Sequence, residues 1–358
     1  MRDQRWGLEL EFTGITRQKA AAVVAEYFGT HSNFSGGGYD KYVVTDTDGR
    51  NWTLMSDASI TEEKKENGRI VDAGFDYAVE LVTPICRYED IETLQEIVRK
   101  LRKAGAFVNK GCGIHVHVDG AEHTPKSLRN IINIVASKND LLYQALQIAP
   151  ERQHYCKQLD EKLIDQMNRY KPDTMSAIED MWYRCSASGA YDRTSHYNDS
   201  RYHFLNLHSL FNGNGTLEFR GYNATMHAGK VKAAIQLSLA MCHQAKVQKS
   251  ASRIVTQTDN PKYTFRTYLL RLGLIGREFA TLRQHLLEPL PGDIAWRSPE
   301  QRERQRERLR QAKALRSELA EQEETVAPQE ITTYEEATNE QAPAPMHDEI
   351  ASEPELSF

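Results

Sequence analysis

"GCGIHVHVDG", residues 111–120, sets two histidines one residue apart between valines and an isoleucine. Side chains alternate between the two faces of a β-strand. Read as a strand, the stretch turns Ile114, Val116 and Val118 one way and Gly113, His115, His117 and Asp119 the other. One face is apolar. The other carries ligand-type groups. An isolated His-x-His pair is more often structural than functional, so its meaning depends on what the other strands place beside it.

Working outward, further stretches alternate in the same manner. "WGLELEFT" (6–13) puts Trp6, Leu8, Leu10 and Phe12 on one face and Glu9 and Glu11 on the other. "YAVELVTP" (77–84) carries Glu80, and "GTLEFRGYN" (215–223) sets Glu218 and Arg220 opposite Leu217 and Phe219. "WTLMSD" adds Asp57, and "RYHFLNLHSL" (201–210), read as a strand, adds Asn206 and His208. None of these polar positions is a lysine and several are glutamates, unlike an ordinary solvated face. Four or five carboxylates on one sheet surface repel each other unless a cation lies among them. Oxygen-rich ligation with few nitrogens suits Mg²⁺ or Mn²⁺ better than zinc. Two residues apart on a strand, Glu9 and Glu11 are roughly 6–7 Å apart, so each can serve a different ion. The chain has no GxxxxGKS/T phosphate loop, so such ions would have to hold the phosphates of any ATP. Arg220 could then stabilise charge on a transferring phosphoryl group.

Between these strands the patterns alternate. Helices are expected over 15–29, 88–105, 124–149 and 230–248, with two more running to about residue 287. "KYVVTDTDGRNWTLMSD" reads as a hairpin turning at Asp48-Gly49. Residues 150–200 look helical but polar and irregular, and "NFSGGGYD" (33–40) reads as a loop. The order implies an α+β fold with a mostly antiparallel sheet covered by helices on one face.

The chain has 358 residues and a formal net charge of −5. Residues 325–358 hold eight Asp or Glu and no Lys or Arg; taking those off the total leaves residues 1–324 at +3. A nearly balanced body gives no reason to expect a nucleic-acid partner. The tail is acidic with little apolar content and reads as disordered. Residues 299–324 are almost all charged and read as a solvated helix or a partner-binding one. Five scattered cysteines without a CxxC pair suit a reducing cytoplasm. No apolar run approaches the roughly 18–20 residues of a membrane helix.

The order Glu-x-Glu, ELVTP, GxGxHxH and Glu-x-Arg resembles the glutamine synthetase-like carboxylate–amine ligases, and more closely the amidoligase family of bacteria and phages. "WGLELEFTG", "YAVELVTP", "GIHVHVDG" and "HFLNLHSLFNGNGTLEFRGYNATM" carry the likeness, which covers about residues 5–245. It implies a curved, mostly antiparallel sheet with helices packed on one face and an active site on the polar, concave face. It also implies ATP and two or three divalent ions. A carboxylate substrate, on an amino acid, peptide or protein, would be phosphorylated and then attacked by an amine to give an amide or isopeptide bond. By resemblance, Glu9, Glu11, Glu80, His115, Glu218 and Asp57 are metal ligands. His117, Asn206 and Arg220 meet the nucleotide, and Arg220 and Glu80 take part in catalysis. Lys110 stands where glutamine synthetases carry an asparagine, so glutamate is not carried over as the substrate.

The chain then divides into a catalytic domain over 1–290, a charged helical extension over 291–324 that could meet a protein partner, and the acidic tail over 325–358. Three other readings stay open: a guanidino-kinase-like phosphotransferase on the same fold, a zinc hydrolase using His115 and His117, and a non-enzymatic scaffold.

Overall fold

The computed structural model describes residues 1–186 and 192–325. Two compact units are present, Met1–Pro299 and a second beginning at Glu300. In chain order the first unit runs β1 (Trp6–Phe12), α1 (Arg17–Phe28), β2 (Ser32–Gly36), β3 (Lys41–Thr45), β4 (Asn51–Met55), β5 (Glu63–Glu66), β6 (Arg69–Asp72) and β7 (Val79–Val82). It continues through α2 (Asp90–Lys103), β8 (Gly113–Asp119), α3 (Pro125–Ser137), α4 (Asn139–Leu146), α5 (Glu161–Tyr170), α6 (Met175–Ser186) and β9 (Leu205–Asn206). Last come α7 (His208–Asn212), β10 (Thr216–Asn223), α8 (Ala228–Val247), α9 (Pro261–Arg271) and α10 (Ala280–Leu287).

Eight strands form one sheet in the order β2-β3-β4-β7-β1-β8-β10-β9. Every neighbouring pair is antiparallel. This is the expected α+β architecture. The apolar sides of the central strands, including Leu10, Phe12, Leu81, Val116, Val118 and Phe219, are fully buried. They form one core with α1, α2, α3 and α8. Each such side chain contributes roughly 1.5–3 kcal/mol by leaving water, which fixes which way every strand faces.

The helix ends follow their local chemistry. Thr16 caps α1 by accepting from the Lys19 amide. Gly29 ends that helix in the left-handed region, at φ 67°, where a residue without a Cβ meets no steric penalty. In α2, Asp90 and Glu92 lie in the first turn and Lys100, Arg102 and Lys103 in the last, in line with the helix dipole.

Three expectations change, and one hairpin is added. The helix over 124–149 is two helices, α3 and α4, with Lys138 at φ −115°, ψ 8° between them. Ser137 turns its hydroxyl back to the Ile134 carbonyl, and its own carbonyl accepts from Thr256, so the ladder ends there. "RYHFLNLHSL" forms only the two-residue β9. The Asn206 side chain accepts from the His208 amide at 2.8 Å. This local turn stops the strand and starts α7. The segment "NFSGGGYD" contributes β2, on the sheet edge. A hairpin of β5 and β6 also forms, around Asn67-Gly68, both with positive φ.

Helix α11 (Pro299–Thr325) belongs to the second unit save for its first residue. Its arginines crowd the N-terminal part and its last four acids, from Glu318 on, the C-terminal part. Residues 326–358, nearly all of the expected tail, lie outside the described residues.

Candidate active site

The register of β1 assembles the polar face. Glu11 lies opposite Glu80 on β7, and Glu9 opposite His115 on β8. Beyond β8, His117 lies opposite Glu218 on β10, and Glu218 lies opposite Asn206 on β9. Directly opposed residues share a face with Cβ atoms about 4.5–5.5 Å apart. Five strands therefore deliver their ligand-type residues to one patch. The β8–β10 register shifts between Phe219 and Tyr222, placing Arg220 at an irregularity, the kind of place where a strand re-aims a side chain.

The patch is not solvated. Glu11, Glu80, His115, Glu218 and Arg220 are all buried, and Glu9 is partly so. Glu9 uses both oxygens, Oε2 at 2.8 Å from His115 Nδ1 and Oε1 at 3.1 Å from His117 Nε2. His117 Nδ1 lies 2.9 Å from the Thr216 hydroxyl. Glu11 accepts the Gly113 amide at 2.6 Å, with its other oxygen 3.7 Å from His115. Glu218 accepts from Arg220 on one oxygen and from Asn206 at 2.6 Å on the other. Asp57 accepts the Ser59 amide at 2.6 Å. His208 points elsewhere, with its ring 2.7 Å from the Tyr183 hydroxyl.

Among the described residues, three groups have one ligand atom per residue, all within 4.8 Å of one another: Glu9–His117–Glu218, Glu9–Glu80–His115 and Glu11–Asp57–Glu80. Glu9 belongs to two of them and Glu80 to two, so they form a row with shared members.

The electrostatics differ along that row. Burial works to raise the Glu9 pKa, but the charge of His117 and hydrogen bonds from His115 and His117 hold it well below the usual carboxylate range. Glu218 is likewise opposed by burial, yet Arg220, His117 and His115 bring it down to about 2. Burial lowers and Glu9 and Glu218 raise His117, with a net upward shift. Glu80 has less help, since the charge of Arg220 lowers it but is outweighed. Burial, then the charges of Glu9, Glu11 and Asp57, push it well above its usual value. Burial also raises Glu11. A carboxyl pushed upward by burial and by anionic neighbours marks a place where a cation would relieve the repulsion. The donor set of carboxylate oxygens with two imidazoles fits Mg²⁺ or Mn²⁺.

Two cavities reach the row. One, of about 430 Å³, is walled by Trp6, Pro84 and Ile85 and by Arg5, Asp119 and Thr216, with His117 and Glu9 also in its lining. The other, of about 220 Å³, is lined by Glu9, Glu11, Asp57, Glu80 and His115, by Arg152, Arg201 and Arg220, and by four tyrosines. Glu9 is the one residue lining both.

A family model described as "Putative amidoligase enzyme" matches residues 2–242. The chain belongs to the amidoligase family. No curated protein matches it. The matched span contains every member of the three groups and ends inside α8. The family description supports a ligase role in general.

Sequence reading passed over Arg152. Its buried guanidinium donates to the Tyr222 and Arg220 carbonyls at 2.5 and 3.0 Å. A Cβ on Gly113 would run into that guanidinium. The second glycine of "GCG" therefore makes room for this arginine, a signal visible in the sequence only once the partner is known. Tyr39, Tyr155, Tyr197, Arg201 and Tyr202 also reach the smaller cavity. The first three come from two segments, 33–40, read as a loop, and 150–200, read as polar and irregular.

Proposed function

We propose that this chain is an ATP-dependent carboxylate–amine ligase, forming an amide or isopeptide bond through an acyl-phosphate. The observation that carries this is the row of three ligand groups reached by two cavities that share only Glu9, with Arg220 bonded to Glu218 and lining the smaller one. The larger, more apolar cavity suits a nucleoside, and the smaller, charged one suits the reacting carboxylate.

Glu9, His117 and Glu218, Glu9, Glu80 and His115, and Glu11, Asp57 and Glu80 would hold two or three divalent ions. When bound, Mg²⁺ or Mn²⁺ ions neutralise phosphate charge. The chain's own groups do the rest. His117, in the lining of the larger cavity, meets the phosphates. Asn206, with its two ends on Glu218 and the His208 amide, keeps that carboxylate in place and acts on the nucleotide through it. A substrate carboxylate oxygen attacks the γ-phosphorus as the bond to ADP breaks, and Arg220 stabilises the charge that develops there. Glu80 borders the acyl side and can take the proton the amine sheds when it displaces phosphate. The described cysteines are free, in keeping with a reducing cytoplasm. No described helix is long and apolar enough to cross a membrane.

The test is ADP release with Mg²⁺ across pools of carboxylates and amines. Release that needs one of each supports the ligase. Release that needs only a single acceptor and yields a stable phosphorylated product would replace it with a phosphotransferase. No nucleotide turnover under any pairing, with Mg-ATP bound, would leave a scaffold.

A further inference from the structure

The smaller cavity is built from two unlike parts. Its floor is the acidic row. Its rim is aromatic: Tyr39 from the turn after β2, Tyr155 from the segment after α4, and Tyr197 and Tyr202 from the segment before β9. Three of these rings face solvent, Tyr39 at 43%, Tyr155 at 39% and Tyr197 at 64% exposed. They are braced by neighbours, Tyr155 by Tyr202 at 5.9 Å and Tyr197 by His196 at 4.7 Å between ring centroids.

The cavity's three arginines are committed differently. Arg220 bonds Glu218, and Arg152 spends its donors on main-chain carbonyls. Arg201 sits 5.6 and 5.8 Å from the Tyr197 and Tyr202 ring centroids and gives one hydrogen bond, to the His196 carbonyl at 2.8 Å. Among the described residues no acid pairs with it. A guanidinium stacked on rings and lacking a carboxylate is preorganised to take one from outside.

Size says what kind of molecule brings that carboxylate. The cavity holds about 220 Å³. Small-molecule sites usually start at roughly 300 Å³. There is room here for one side chain or chain end. A free amino acid would fill it and leave the exposed tyrosines without a role. Rigid, amphipathic tyrosines gathered from several loops are a surface for polypeptide, because they cover apolar side chains and hydrogen-bond main-chain groups at low entropic cost.

We infer that the acyl substrate is a polypeptide, that Arg201 receives its reacting carboxylate, and that Tyr39, Tyr155, Tyr197 and Tyr202 grip the residues on either side. This rests on the ligase reading above. The carboxylate oxygen bonds the γ-phosphorus of ATP, ADP leaves, and the amine nitrogen then bonds the acyl carbon as phosphate departs and the nitrogen loses a proton.

Hydroxylamine serves as the amine probe, because the product hydroxamate is coloured by ferric ion. The acyl probes are pooled heptapeptides carrying one Asp, one Glu or a free C-terminal carboxylate, set against pooled free amino acids. With Mg-ATP and the full chain, the peptides should give at least about a hundredfold higher kcat/KM. Tyr197→Ala should raise the peptide KM about tenfold with little change in kcat. Arg201→Ala should lower kcat/KM by about a hundredfold or more, with Arg201→Lys recovering part of it. Both variants should bind Mg-ATP as the parent does, which also shows that they fold. Equal use of free amino acids, or a Tyr197→Ala enzyme with unchanged peptide KM, overturns the polypeptide inference and leaves the ligase standing. Absence of hydroxamate from either pool while Mg-ATP is bound overturns the ligase reading and the inference with it.

Discussion

At the scale of single residues, the site is a set of opposed charges whose balance depends on pH. Glu80 and Glu11 titrate above their usual values in the folded chain, and His117 titrates above its own. Groups raised on folding stabilise the native state below their unfolded pKa, and that stability is lost as pH rises through the folded one. Glu9 and Glu218, depressed on folding, work the other way, but their contribution is lost only in acid, below the usual carboxylate range. Burial lowers His123, His208, His243 and His285, and these add stability as pH rises with or without metal. The melting-temperature gap between protein with millimolar Mg²⁺ or Mn²⁺ and protein in chelator should therefore widen as pH rises above about 5, because the ions take the place of the protons. A gap that stays constant or narrows with rising pH would remove the cation-site interpretation. Arg220→Ala should slow turnover by about a hundredfold, from roughly 2–4 kcal/mol of lost transition-state stabilisation. It also strands buried Glu218, so in chelator it should destabilise the fold by roughly 3–5 kcal/mol. Added Mg²⁺ should restore melting temperature but not turnover. Recovery of both would make Arg220 a purely structural partner of Glu218. Gly113→Ala pushes a methyl group into Arg152, and denaturant titration should show a loss of about 1–3 kcal/mol.

At the scale of elements, alternation was the legible signal. In β1, β7, β8 and β10, one face had to be apolar to join the core, so the positions of Glu9, Glu80, His115 and Glu218 followed from their neighbours. Register then did what alternation alone could not, bringing five strands' polar positions side by side. Local side-chain chemistry was less legible. The Asn206 side chain ended a strand after two residues and sent His208 toward Tyr183, and Ser137 broke a helix that periodicity had drawn as continuous. Both are competitions between a short polar side chain and the backbone ladder, and an apolar pattern does not register them. Arg152 was the harder case. It acts on Glu11's strand pair from far along the chain, through a glycine that looks like any other. The shared ligands carry a consequence at this scale too. Glu11→Gln should keep the strands intact and remove one ligand charge from the Glu11–Asp57–Glu80 group. Calorimetry with Mn²⁺ should then show weakened binding of at least one ion and turnover reduced by at least about tenfold. The melting temperature in chelator should be unchanged or higher, since a buried repulsion is relieved.

At the scale of the whole molecule, the sheet, its helices and both cavities lie within Met1–Pro299. A chain ending at Pro299 should keep its melting temperature within about 2 °C, well under the shift that roughly 1 kcal/mol would cause, and its metal affinity unchanged. A several-degree drop would show that later residues support the fold. Helix α11 has a charge order opposed to its own dipole, arginines toward the positive end and acids toward the negative one. Its side chains as far as Ala320 are nearly all exposed, and such a helix gains little from its own sequence. The two cavities meet at a single carboxylate, Glu9, and otherwise share no wall. On the proposed ligase reading, nucleotide and acyl substrate would approach from separate doorways, and neither would bar the other's path. Initial-rate measurements should show random order of addition, with each substrate able to bind first and to wait for the other.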